Sequence, residues 1–170
     1  MTEQMNQRKH PRLKGYDYGQ DGVYFITACT NKKRKVLSRI VGRGLAPAAV
    51  LLLPAGQLVS EELENLKTRF PTMSIDQAVI MPNHIHLLLR LSAGASPRPT
   101  EGTIMDIMRV LKSMTTRRWN TLRGTAGQKL WQPSFYDHII RDETDYLTKW
   151  NYIETNPARW AEDEYYTGRG

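Results

Sequence analysis

The hydrophobic pattern of this chain changes period as it runs. Val23-Tyr24-Phe25-Ile26-Thr27-Ala28-Cys29-Thr30 is dense in β-branched and aromatic residues and predicts the clearest strand. A basic cluster, Asn31-Lys32-Lys33-Arg34-Lys35, stands at its end. Between Val36 and Pro54 the glycines and prolines predict loops around a short strand, Val50–Leu53. Leu58, Val59, Leu63, Leu66 and Phe70 then recur at near-helical spacing, so Gln57–Phe70 predicts an amphipathic helix that Pro71 stops. Met73–Met81 predicts the next strand and His84–Leu91 another. Pro82-Asn83 between them fits a hairpin or one long strand kinked at the proline.

Leu91–Gly102 is built of Ser, Gly, Pro and Ala and reads as a link. Thr103 is a candidate cap for a helix whose apolar stripe is Ile104, Ile107, Met108, Leu111 and Met114. Arg109, Lys112 and Thr116 fall on another face of it, with Arg117 and Arg118 near its end. After a loop at Gly124–Gln128, Trp131–Ile140 reads as an extended segment that becomes a strand. Asp142 is an apt N-cap for the last helix, and Pro157 closes it with Asn156 at the C-cap. On a helical wheel, Tyr146, Leu147, Trp150 and Ile153 form the expected buried face. Tyr152 falls roughly opposite, on a polar stripe with Asp145, Thr148 and Asn156, and Asn156 is its neighbour one turn on. Strands and helices alternate irregularly, with no glycine-rich dinucleotide fingerprint. That pattern predicts an α+β fold, an antiparallel sheet with helices packed on it.

Charge adds a partner to this picture. The 170 residues carry a formal net charge of +7, which points to a polyanion, nucleic acid ahead of a membrane surface. Residues 1–14 form a basic arm in which Arg8, Lys9, Arg12 and Lys14 are candidate phosphate contacts. Lys32, Lys33, Arg34, Arg117 and Arg118 are further candidates for DNA binding. Residues 15–160 are read as one domain and 161–170 as a polar C-terminal tail. A single cysteine, Cys29, excludes an intramolecular disulfide and suits a reducing compartment. No apolar leader is visible, and the longest apolar run, Ala46–Ala55, is too short to span a bilayer. A cytoplasmic protein without a membrane partner is expected.

The chemistry centres on Met81-Pro82-Asn83-His84-Ile85-His86-Leu87-Leu88-Leu89. On a strand His84 and His86 point to one face and Ile85 to the other. Two neutral imidazoles side by side are ready ligands for a divalent metal, although a purely structural pair has the same pattern. With Tyr152, Asn156 and the basic charge, one chemistry fits. A metal on His84 and His86 would polarise a phosphodiester, the Tyr152 oxygen would attack phosphorus, and Asn156 could offer its amide oxygen as a third ligand. Nucleotide hydrolases with three alternating histidines are a rival, but the third position is Leu88. A non-catalytic nucleic-acid-binding module is the other rival. His138, after Asp137, could touch DNA or orient a ligand but reads better as structural, and Trp131 and Phe135 could stack on bases but read better as core.

Several segments together resemble a known family. VIMPNHIHLLL at 79–89 is similar to the histidine–hydrophobe–histidine strand of single-tyrosine transposases. NYIETNPARW at 151–160 resembles the tyrosine helix of their REP-associated branch, GYDYGQDGVYFITACT at 15–30 its first strand, and WQPSFYDHIIRDETDY at 131–146 the segment before the helix. The resemblance implies a ferredoxin-like sheet, dependence on Mg²⁺ or Mn²⁺, and cleavage and rejoining of single-stranded DNA beside hairpin or palindromic elements. It implies a 5′-phosphotyrosine at Tyr152, metal ligation by His84 and His86, and a completing polar ligand at Asn156. It implies a monomer for the REP-associated branch, and sites shared across a dimer for a transposase proper. The apolar region 46–53 has no counterpart in the resemblance.

Overall fold

The computed structural model describes residues 20–42, 47–92 and 102–168. In chain order its elements are β1 (Gly22–Cys29), β2 (Ser38–Val41), β3 (Ala49–Leu52), α1 (Pro54–Arg69), β4 (Met73–Ile80), β5 (His84–Leu91), α2 (Ile104–Arg123), β6 (Tyr136–Ile139) and α3 (Glu143–Thr155). Four strands form one sheet in the order β4-β5-β1-β6, every neighbouring pair antiparallel. With α1 and α2 as the two crossovers this is the expected ferredoxin-like α+β arrangement. A two-stranded ribbon, β2–β3, is inserted after β1, and α3 is appended at the end.

Pro82-Asn83 makes a hairpin: Ile80 pairs with Ile85, and the Met81 N–H donates to the His84 carbonyl at 2.8 Å. Within the apolar region 46–53, residues Ala49–Leu52 form strand β3 of the ribbon. Its residues alternate between half-buried and exposed, and Leu51 stands open to solvent. α1 begins at Pro54, three residues before the expected start, because proline lacks only an N–H that the first helical turn leaves unused. Gly56 is required there, since a Cβ would collide with the Leu37 carbonyl. α2 opens with the expected cap, extended to a capping box: Thr103 Oγ1 accepts from the Asp106 N–H at 3.2 Å, and the Asp106 carboxylate accepts the Thr103 N–H at 3.3 Å. Thr115 replaces Met114 on its buried stripe, where Thr115 Oγ1 accepts from Trp131 Nε1 at 2.8 Å.

The sheet has two unlike faces. Tyr24, Ile26, Ala28, Ile85, Leu87 and Leu89 face α1 and α2 and form the main core. Val23, Phe25, Leu88 and Ile153 form a smaller cluster on the other face, under α3, with Tyr146, Trp150 and Tyr152 partly buried against it. This corrects the wheel for α3. Leu147, placed on the buried face, is 56% exposed, while Tyr152 and Asn156 turn inward. Tyr146 Oη donates to Asp76 at 3.1 Å, which also receives Arg90 at 2.5 Å, so the start of α3 is tied to β4 and β5. Among the described residues, no helix is long and apolar enough to cross a membrane.

Candidate active site

Strand alternation and the β1–β5 register build the floor of the site. His84 and His86 are fully buried on the α3 face, opposite Cys29 and Thr27 of β1. Their Nε2 atoms face each other at 3.0 Å. The outer ring nitrogens are held. Asn83 Nδ2 donates to the Tyr165 carbonyl at 2.8 Å, which turns its Oδ1 toward His84 Nδ1, also at 2.8 Å. His84 therefore carries its proton on Nδ1 and presents a lone pair at Nε2. His86 Nδ1 lies 2.7 Å from Thr27 Oγ1, a hydroxyl that can rotate to donate or to accept. Burial, more than any neighbouring charge, pushes the His84 pKa down to about 4, and burial with the adjacent imidazole lowers that of His86. Both rings are neutral near pH 7. Cys29 stays a thiol, its pKa pushed up to about 11 by burial.

α3 and the segment after it build the wall. The Tyr152 ring lies edge-on to His86 at 5.1 Å and to Phe25 at 5.9 Å, and Phe25 stacks on His86 at 5.2 Å. Burial, then the charges of Asp163 and Glu164, raises the Tyr152 pKa above the ordinary phenol value. Asn156 is buried one turn on, where Asn156 Nδ2 donates to Asp163 Oδ2 at 2.5 Å. Its Oδ1 is buried with no hydrogen-bond partner. Tyr152 Oη donates to the same Asp163 carboxylate at 3.4 Å. Ligand atoms of His84, His86 and Asp163 all lie within 4.8 Å of one another. A cavity of about 260 Å³ opens beside them, lined by Tyr152, Asn156, Arg159 and Asp163 among others.

The region read as a polar tail is therefore part of the site. Trp160 is buried, and a 3₁₀ turn at Trp160–Glu162 carries the chain back across the histidines. Tyr165 packs on His84 with ring centroids 4.6 Å apart. Asp163 was not found from the sequence, because no spacing rule links an acid after the helix to a histidine pair on a distant strand. Thr27 and Asn83 had a usable signal, the alternation of β1 and adjacency to His84.

The basic candidates separate. Lys32 and Lys33 both adopt left-handed backbone, φ 57° and 52°, in a turn at the end of β1. Such conformations cost about 1–2 kcal/mol each and persist only where the surroundings impose them. Here Asn83 Nδ2 reaches the Lys33 carbonyl at 3.4 Å, and the Lys33 ammonium lies 5.5 Å from the Tyr165 ring, so the turn adjoins the site. Arg34 spends its guanidinium on the Asn31 and Lys129 carbonyls. Arg118 bonds Glu61 and Glu62 of α1, and α2 packs on the face away from the histidines, with Arg117 exposed. Arg8, Lys9, Arg12 and Lys14 lie outside the described residues. His138 pairs with Asp145 at 2.8 Å and joins β6 to α3. Trp131 is core and Phe135 packs against it.

A helix-borne tyrosine over a histidine pair on a ferredoxin-like sheet defines a class, and comparison with known proteins bears on it. The family described as "Transposase IS200 like" matches residues 21–156, and the chain belongs to it. It is 34% identical over 177 residues to an uncharacterized protein of Haemophilus influenzae, covering 95% of this chain and 94% of that one. It is 32% identical over 98 residues to a putative REP-associated tyrosine transposase of the same organism, covering 53% of this chain and 51% of the relative. In fold it is similar to a solved REP-associated tyrosine transposase bound to a REP hairpin, with a TM-score of 0.61 and 22% identity over 92% of this chain and 76% of that one. The resemblance to REP-associated tyrosine transposases is thus met by a relative and a structure of that name.

Proposed function

We propose that the protein is a metal-dependent endonuclease and strand transferase for single-stranded DNA, acting beside hairpin elements through a 5′-phosphotyrosine at Tyr152. One observation carries the reading: two converging imidazole Nε2 atoms and a phenol share one buried site. The donor set fits a divalent cation. With the Thr27 hydroxyl turned to accept from His86 Nδ1, both Nε2 atoms would present lone pairs to a cation, and Asn156 Oδ1 supplies an oxygen donor. His84, His86 and Asn156 would hold Mg²⁺ or Mn²⁺, with Asp163 within reach, while Asn83 and Thr27 orient the imidazoles from behind. The bound cation would polarise an oxygen of the reacting phosphate.

The rest of the chemistry belongs to the chain. The Tyr152 oxygen bonds to phosphorus and the bond from phosphorus to the 3′ oxygen breaks. The phenol proton ends on the released 3′ hydroxyl, so no water or other reactant is consumed and the reverse step rejoins the strand. Burial holds that proton on Tyr152 until the bond forms, and the Asp163 carboxylate is placed to take it in passing. Tyr146 is no alternative nucleophile, since its hydroxyl meets Asp76 and its ring meets Arg90, at the opposite end of β5 from His84. The basic turn at Lys32 and Lys33, with the arm at Arg8–Lys14, supplies phosphate contacts. The Tyr152 ring lies 5.1 Å from His86 of its own chain, so a monomer suffices for this reading.

A second reading, a hairpin-binding module without catalysis, has one observation in its favour: Asp163 and Tyr165 already pack against the catalytic candidates. The test uses single-stranded hairpin oligonucleotides from the flanks of the protein's own gene, with Mg²⁺ or Mn²⁺, on a denaturing gel. A protein–DNA adduct in the wild type, lost in Tyr152→Phe and His84→Ala, is expected. Tight hairpin binding with no adduct under any metal would overturn the nuclease reading in favour of the module.

A further inference from the structure

Lys149 is the one basic residue of α3, amid Glu143, Asp145 and Glu154. It precedes Tyr152 by three residues and so lies on the same side of the helix, about 4.5 Å along the axis. Asp145, one turn earlier, is the natural ion-pair partner, but it is taken by His138 at 2.8 Å and by the Arg141 N–H at 3.1 Å. Lys149 instead extends over the ring of Phe25, its ammonium 4.9 Å from the centroid. Phe25 is the ring that stacks on His86 and meets Tyr152 edge-on. Among the described residues Lys149 makes no ion pair. A half-buried ammonium is thereby held over an aromatic shelf beside His86, close enough for its charge to act on Asp145 but not ion-paired to it.

Resting on the reading of Tyr152 as nucleophile, we infer that Lys149 is a substrate-contacting residue that binds the DNA phosphate next to the reacting one. A strand lying along α3 with one phosphate at Tyr152 brings its neighbour, roughly one nucleotide away, past Lys149. The contact would fix the reacting phosphorus against the Tyr152 oxygen and offset the charge that builds up during attack. The carboxylates beside Tyr152, Asp163 and Glu164, repel an approaching phosphodiester, and Lys149 adds to Arg159 a second cation that offsets them.

The experiment combines Lys149→Met, which keeps the stem on Phe25 and removes the charge, with oligonucleotides carrying one neutral methylphosphonate at successive positions. In the wild type, neutralising the phosphate adjacent to the cleaved one should slow adduct formation about 10-fold. Lys149→Met should slow it by a similar factor with overall hairpin affinity changed less than about 3-fold, and the two changes together should cost no more than either alone. Lys149→Arg should restore most of the rate, and equal melting temperatures would show that folding is intact. Additive effects, or an unchanged rate in Lys149→Met, would overturn the proposal. Should the wild type form no adduct, the nuclease reading falls by itself, and Lys149 is judged by binding. Lys149→Met must then lower the slope of log affinity against log salt by about 0.7, the single-strand value for one lost phosphate contact, and an unchanged slope refutes the contact.

Discussion

Ile85, Leu87 and Leu89 alternate with His84, His86 and Leu88 along β5, yet the two sets have different surroundings. The first set is sealed under α1 and α2 by aliphatic side chains and meets no polar partner. The second lies under a single helix and a returning segment, and its histidines are ringed by Thr27, Asn83, Asn156 and Asp163. Both are equally buried. Burial on the first side is offset by dispersion and the hydrophobic effect. On the second it is tolerated because the polar atoms find partners, Asn156 Oδ1 being the exception among the described residues of that face.

The contrast can be broken from either side. On the histidine face, Tyr152→Phe should abolish adduct formation, a loss on the order of 10³-fold or more in single-turnover rate, while its melting temperature stays near that of the wild type. On the aliphatic face, Leu87→Ala should cost about 2–5 kcal/mol in chemical denaturation, through lost transfer energy and a cavity, with the adduct chemistry of the folded fraction retained. A Leu87→Ala protein that folds normally but cannot cleave would erase the division of labour.

Acid should separate the faces as well. The folded-state pKa of His84 is about 4 against an ordinary 6.5, because burial disfavours its charged form. The unfolded chain therefore takes up a proton below about pH 6.5 that folded His84 refuses until about pH 4. Stability is complete above that window and falls as pH drops through it, by on the order of 3 kcal/mol for this group, with His86 adding in the same direction. Urea titrations in chelator at pH 7 and pH 4.5 should show the fall in wild type and a smaller one in His84→Gln. Smallest is the effect of Thr27→Val, which removes the partner of His86 Nδ1 and should weaken Mn²⁺ binding about 10-fold by calorimetry. Unaltered metal affinity there would mean that Thr27 only packs.

The contrast also explains what was legible in the sequence. Period-2 alternation put His84 and His86 on one face, and Thr103 and Asp142 announced their helices through chemistry confined to a few residues. α3 was read inside out in part, because a wheel assigns the greasier side to the interior. That rule fits a helix on an aliphatic face. α3 sits on the histidine face, where the inward side carries Tyr152 and Asn156 and leaves Leu147 outside. Asp163 escaped notice for a related reason. Its meaning depends on a chain reversal after Pro157 that brings it to residues some 80 positions earlier, and local propensity holds no record of that encounter. The early start of α1 was hidden by Pro54 and Gly56, residues that usually signal loops and here serve a first turn and a close backbone crossing.

α3 is fastened along its length. Asp142 accepts the Asp145 N–H at 2.8 Å, Asp145 holds His138, Tyr146 reaches Asp76, and Asn156 grips Asp163. If Tyr152 is the nucleophile proposed above, a helix fastened at so many points would hold a severed DNA end where it was cut. For such a protein resealing would be the default fate of every break, and a genuine rearrangement would require the DNA, not the enzyme, to trade places before the strand closes again.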